Sequence, residues 1–177
     1  MAKLDKLTKL SSSTRFEELC DEFKESFLLN PMPSLIQLPA GFQVYKWAGT
    51  SRIDKASGHR VRNTIFGKTG VSTPYWSPWA AMPKHRAPGF KEIRTRYRNL
   101  NGGVGRFQEM ARARLAVTNE FSEMNSIVKA ELKTPAWAFA GLCRHQRVNE
   151  KEPDVVFIGG DFQLVIPGLT ADNIFAL

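Results

Sequence analysis

Apolar residues recur at helical spacing at Phe16, Leu19, Cys20, Phe23 and Phe27, and Thr14 with Glu17 three residues on has the form of a capping box. This spacing predicts a first helix that runs to Asn30-Pro31. Pro31, Pro33 and Pro39 then predict a stiff connector. From Phe42 to Trp47 apolar and polar positions alternate, as in a half-buried strand, and Gly49-Thr50 closes it. Ser51 to Gly70 is polar and glycine-rich, which predicts a long loop with one small strand at Thr64-Ile65-Phe66. Val71 to Trp79 holds Pro74, Pro78, Tyr75, Trp76 and Trp79, and rings so dense must be buried or bind something.

Pro88-Gly89 opens a short helix whose apolar stripe is Phe90, Ile93, Tyr97 and Leu100, leaving Lys91, Arg94, Arg96 and Arg98 mostly outside. Asn101-Gly102-Gly103 breaks it. Phe107, Met110, Ala113, Val117, Phe121 and Met124 predict a longer helix from about Val104 to Asn125 with a core-facing stripe. Beyond Ser126 the period changes to two: Val128, Ala130 and Leu132 alternate, then Ala136 to Leu142, which predicts two strands. A charged loop follows from Arg144 to Pro153. Val155 to Ile158 and Phe162 to Ile166 flank Gly159-Gly160-Asp161, which reads as a hairpin turn, and Asn173 to Leu177 is a last strand. Helices in the middle, strands at the end and no βαβ alternation predict an α+β domain. A single domain over 1–177 is expected, with an N-terminal helix and Pro-rich connector at 1–40 and an α+β core at 41–177.

The 177 residues are 42% hydrophobic and 24% charged, a soluble globular balance, and no apolar run reaches the ~20 residues of a membrane span. No membrane partner is expected. The N-terminus lacks the apolar stretch of a secretory signal. Cys20 and Cys143 can build neither a disulfide framework nor a zinc site and read as buried thiols. Net charge is +8 and is concentrated: 84–114 has nine Lys and Arg against Glu92 and Glu109, while the rest is nearly neutral. Such a face draws an anionic partner, whether nucleic acid, an acidic protein or the phosphates of a cofactor, or is simply a solvated helix face. No phosphate-cradling glycine loop, no nucleophile elbow and no histidine pair at metal spacing is present, so no metal is expected.

Three segments remain: Val44-Tyr45-Lys46-Trp47, an aromatic-basic strand; Val71-Ser72-Thr73-Pro74; and Phe157-Ile-Gly-Gly-Asp-Phe-Gln-Leu-Val-Ile-Pro167. In that order they resemble the ADP-ribosyltransferase superfamily. The last segment is most similar to the Gly-Gly-x-x-Gln stretch of the necrotising-toxin type of NAD glycohydrolase, as is Leu132 to Gly141 to the strand before it. The resemblance implies an ADP-ribosyltransferase-like split β-sheet with N-terminal and central helices, and NAD as substrate. It implies hydrolysis or transfer of ADP-ribose, a toxin or effector role in the cytoplasm or a target cell, and an inhibitor or immunity protein as partner. Two departures stand out. Lys46 occupies the early strand where the transferase branches have Arg or His, and Gln163 follows Asp161 where most have Glu, which favours water as acceptor or a degenerate fold that binds without turnover.

Cleavage of a C–N glycosidic bond passes through an oxocarbenium-like state, so polar groups must hold the ribose hydroxyls and steady positive charge. Gln163 and Asp161, two apart on a strand, are the candidates. Lys46, Arg52, Arg60 or Arg62 can meet a pyrophosphate, Tyr45, Tyr75 or Trp76 can stack on nicotinamide, and Ser72 and Thr73 can fix the strand edge. Gly159 and Gly160 would let backbone approach the ligand closely. Each feature has an ordinary structural reading beside this one, the turn at Gly159-Gly160 above all. Two rivals stand. A nucleic-acid-binding protein would use Lys91, Arg94, Arg96 and Arg98 on phosphates, with Tyr97, Trp76 or Trp79 stacking on bases. An assembly protein would use the Trp- and Pro-rich segment as a partner surface.

Overall fold

The computed structural model describes residues 3–49, 51–53, 60–62, 65–66, 69–101, 105–117, 124–147 and 156–177. Its strands are β1 (Ser34–Leu38), β2 (Gln43–Ala48), β3 (Ser51–Ile53), β4 (Arg60–Arg62), β5 (Tyr75–Pro78), β6 (Ser126–Leu132), β7 (Ala136–Leu142), β8 (Gln146–Arg147), β9 (Val156–Phe157), β10 (Phe162–Val165) and β11 (Ile174–Ala176). Its α-helices are α1 (Asp21–Glu25), α2 (Phe90–Asn101) and α3 (Gly105–Leu115). Seven strands form one antiparallel sheet in the order β1-β7-β10-β5-β2-β6-β11, and β3–β4 and β8–β9 are separate two-stranded ribbons. The protein is thus a mixed α+β fold. Among the described residues no helix is long and apolar enough to cross a membrane.

Alternation along each strand divides the sheet into two faces. Val44, Trp76, Ala130, Leu132, Ala138, Leu164 and Ile174 share one face and form the main core. The other face carries two clusters. Phe139 and Val165 pack with Leu19, Phe23 and Phe27 of the N-terminal segment, while Ile93, Tyr97, Phe107 and Ala111 of α2 and α3 pack over Trp47. Between these clusters the face is left open. The sheet also narrows there: β2 pairs with β6 over six residues, from Gln43↔Glu131 to Ala48↔Ser126, but with β5 only at Val44↔Pro78 and Tyr45↔Ser77.

Several expected elements are shorter than their periodicity suggested. The first helix divides into a 3-10 turn, Phe16–Glu18, and α1, with Leu19 and Cys20 extended between them. Leu4 pairs with Leu19 there, its N–H donating to Glu18 and its carbonyl accepting from Cys20, so tertiary pairing takes these groups out of a helical ladder. The apolar spacing still reports burial: Leu19, Phe23 and Phe27 are all in the core. The expected capping pair moves by one residue, since Glu18 accepts from the Arg15 N–H while Thr14 Oγ1 accepts from Ser11 N–H. The Pro-rich connector contains edge strand β1, paired with β7 from Ser34↔Ala140 to Leu38↔Ala136. Its prolines lie outside the strand, where no ladder donor is missing.

The longer helix ends at Leu115, not near Asn125, because Ala116 turns into the left-handed region (φ 52°) and the Val117 N–H closes onto the Arg112 carbonyl. Gly159-Gly160-Asp161 is not a hairpin turn either. β9 pairs with β8, β10 pairs with β7 and β5, and the turn caps α3: Gly159 N–H donates to the Ala113 carbonyl and Asp161 N–H to that of Arg114. The polar stretch from Ser51 holds the β3–β4 ribbon, and Thr64 lies outside the described residues. Cys143 is buried but Cys20 only half-buried.

Candidate active site

Where β2 and β5 part, a cavity of about 920 Å³ opens between the two clusters, and the gap also admits Lys46 and Trp76 from the core side of the sheet. That volume falls in the range of small-molecule sites. Its floor comes from three neighbouring strands: Lys46 and Trp47 of β2, Tyr75, Trp76 and Ser77 of β5, and Gln163 of β10. Glu22, Glu25 and Ser26 form one wall, Leu115 at the end of α3 with Ala116 and Val117 another, and Arg144, His145 and Arg147 the rim.

Gln163 is 6% exposed, and its Nε2 donates to the Ser26 carbonyl (2.7 Å) and to Ser26 Oγ (3.1 Å). A carbonyl must be met by a donor, so this contact sets the orientation of the amide. The opposite oxygen, Oε1, accepts from no described residue and belongs to a side chain that lines the cavity. Lys46 Nζ reaches across the parting strands to Ser72 Oγ (2.7 Å) and Thr73 Oγ1 (2.9 Å), and lies 4.3 Å from the Trp76 ring centroid. Burial disfavours its ammonium and lowers its pKa to about 7. The Tyr75 hydroxyl donates to Glu22 Oε1 (3.0 Å), and burial followed by the Glu22 charge raises its pKa.

The structure therefore brings together Lys46, Thr73, Tyr75, Trp76 and Gln163 around one cavity, with Ser72 buried behind as the partner of Lys46. It does not bring Tyr45 or Asp161 there. Tyr45 packs its ring against Phe90 (4.9 Å) and Trp79 (6.1 Å), away from the cavity, and burial raises its pKa. Asp161 precedes β10 and does not share a site with Gln163. Its carboxylate accepts from the Tyr97 hydroxyl and from Arg114 Nε (3.3 Å), a fixed structural pairing. Burial raises its pKa to about 6, with the Arg96 charge opposing. Arg52, Arg60 and Arg62 lie on the β3–β4 ribbon, and their side chains are outside the described residues. Lys91, Arg94, Arg96 and Arg98 are exposed on α2 and do not line the cavity.

Sequence reasoning missed Ser26, Glu22, Arg144 and Arg147. The Arg-His-Gln-Arg run directly after an apolar strand was a signal for the last two, but only the β8–β9 ribbon turns that run over the cavity. Nothing local marks Ser26, which meets Gln163 across 137 residues. Comparison with protein-family models, with curated proteins and with solved structures finds no match to this chain.

Proposed function

We propose that the cavity takes NAD and that the protein cleaves its nicotinamide–ribose bond, with water as the favoured acceptor. The observation that carries this reading is the convergence of Lys46, Tyr75 and Gln163 from three adjacent strands on one cavity. The cavity is also polar in a matching sense. Arg144 and Arg147 at the rim suit a pyrophosphate, and Glu22 and Glu25 in the wall suit the pyridinium cation. Tyr75 offers an aromatic surface beside the carboxylates.

In this scheme Gln163 Oε1 accepts a ribose hydroxyl and steadies charge that develops as the C1′–N1 bond lengthens. The bonding pair leaves with nitrogen, which gives neutral nicotinamide. Water adds its oxygen to C1′ and loses a proton to solvent, which gives ADP-ribose. A toxin or effector role would then act through loss of NAD from a target cell, with an inhibitor covering the cavity mouth.

The test is incubation of the purified protein with NAD, with and without cell extract as a source of acceptors, while free nicotinamide is measured. Release of nicotinamide is expected. Arg144→Ala and Arg147→Ala should each raise KM about 10-fold or more with kcat nearly unchanged, the mark of binding shared by ground and transition states. No release at high enzyme concentration in either arm would overturn both hydrolysis and transfer.

A further inference from the structure

We propose that the outward face of α2 binds the phosphate backbone of double-stranded nucleic acid. Lys91, Arg94 and Arg98 follow one another at steps of three and four, so they form one stripe along the helix, and all three are exposed. None is in an ion pair with a described residue, and Glu92 is the one acid on this helix. At 1.5 Å per residue the stripe is about 10 Å long, the rise of about three phosphates along one strand of a duplex. The helix is held rigidly for this purpose, because Ile93 and Tyr97 on its opposite side are buried against α3.

The burial of the aromatic rings decides between duplex and single strand. Of the rings that could stack on bases, Tyr97 and Trp76 are each 1% exposed, Trp79 is half-buried with Phe90 stacked on its ring and Lys129 Nζ 4.4 Å from its centroid, and the exposed positions of α2 carry no ring. Single strands are held by stacking platforms as well as charge. A cationic stripe without rings reads backbone alone, and a duplex presents backbone in a regular array. The proposal is independent of NAD cleavage, since none of these three residues lines the cavity.

The test is fluorescence anisotropy of the full chain with a short labelled duplex of mixed sequence and with one of its strands. Three phosphate contacts give a log–log salt slope near −2.7, so duplex affinity should fall about 40-fold between about 50 and 200 mM salt. Lys91→Glu, Arg94→Glu and Arg98→Glu together should abolish binding, whereas Lys6→Glu, Lys9→Glu and Lys133→Glu together, the same charge change elsewhere, should leave most of it. If the α2 triple variant fails to fold, Arg94→Glu and Arg98→Glu taken singly should each flatten the slope by about one. Absence of duplex binding at the lower salt, equal loss in both triple variants or tighter binding to the single strand would overturn the proposal. So would binding confined to an acidic peptide or an anionic vesicle.

Discussion

Gln163→Met separates the structural role of this side chain from its proposed chemical one. Methionine matches its length, so the change removes the two hydrogen bonds to Ser26 and little else. The Ser26 groups are not orphaned. The carbonyl keeps the Arg144 N–H (2.9 Å) and the hydroxyl keeps its bond to the Phe23 carbonyl (2.7 Å). The cost is therefore two net neutral hydrogen bonds, about 2 kcal/mol in all, without the larger penalty of a stranded buried acceptor. In a chain of this size that lowers Tm by about 4–8 °C, readable by circular dichroism. Nicotinamide release should fall by about 100-fold or more, since the acceptor for the ribose is gone. Gln163→Glu should behave differently. It turns a carboxylate toward the Ser26 carbonyl where a donor stood, costing about 3–5 kcal/mol at neutral pH. Acidification should restore it, because a protonated carboxyl can donate to that same carbonyl. A Gln163→Met variant with unchanged Tm, or with full nicotinamide release, would refute the reasoning.

Three further outcomes follow from named contacts. The Lys46 pKa drops from 10.5 to about 7 in the fold, so the unfolded chain holds a proton that the folded one releases between those values. Stability should then rise with pH across that window relative to Lys46→Met, by at most about 5 kcal/mol, and urea unfolding at several pH values checks it. Asp161 moves the other way, from 3.8 to about 6. Its contribution is complete below the unfolded value and is lost as pH rises through about 6, so wild type should lose up to about 3 kcal/mol between pH 4 and 6 relative to Asp161→Asn. A Cβ at Gly159 (φ 64°) would stand 2.6 Å from the Cys143 carbonyl oxygen, whereas one at Gly160 (φ 86°) would meet only the Arg114 guanidinium at 3.6 Å or beyond. Gly159→Ala should thus destabilise by at least about 2 kcal/mol and by more than Gly160→Ala, as thermal melts will show.

The strands were legible from alternation, as in Val128 to Leu132, or from a short apolar run buried on both faces, as in Ala136 to Leu142: β2, β6 and β7 lie where Phe42 to Trp47 and these two stretches placed them. The stripe of α2 was equally plain, with Ile93 and Tyr97 inside and its cations outside. Helix ends were not. Leu4 across from Leu19 and Val117 folding back on Arg112 are backbone contacts that leave apolar spacing untouched, so periodicity alone overran both helices. Lys46 and Gln163 could be singled out by residue type and order along the chain. The partners that orient them could not, since Ser26 and Ser72 are ordinary serines until strand order brings them into contact.

The turn at Gly159 to Asp161 has one more consequence. It is bonded at once to the last carbonyls of α3, to Cys143 at the end of β7, and through the chain to Gln163. One side of the cavity and its base are therefore a single mechanical piece, and neither can yield to an incoming molecule without the other. The β8–β9 ribbon belongs to the same piece, since β9 leads directly into the turn and lies against α3. Ser26 fastens the end of α1 to it as well, through the Arg144 N–H and Gln163 Nε2, so a ligand would settle into a mould cast beforehand.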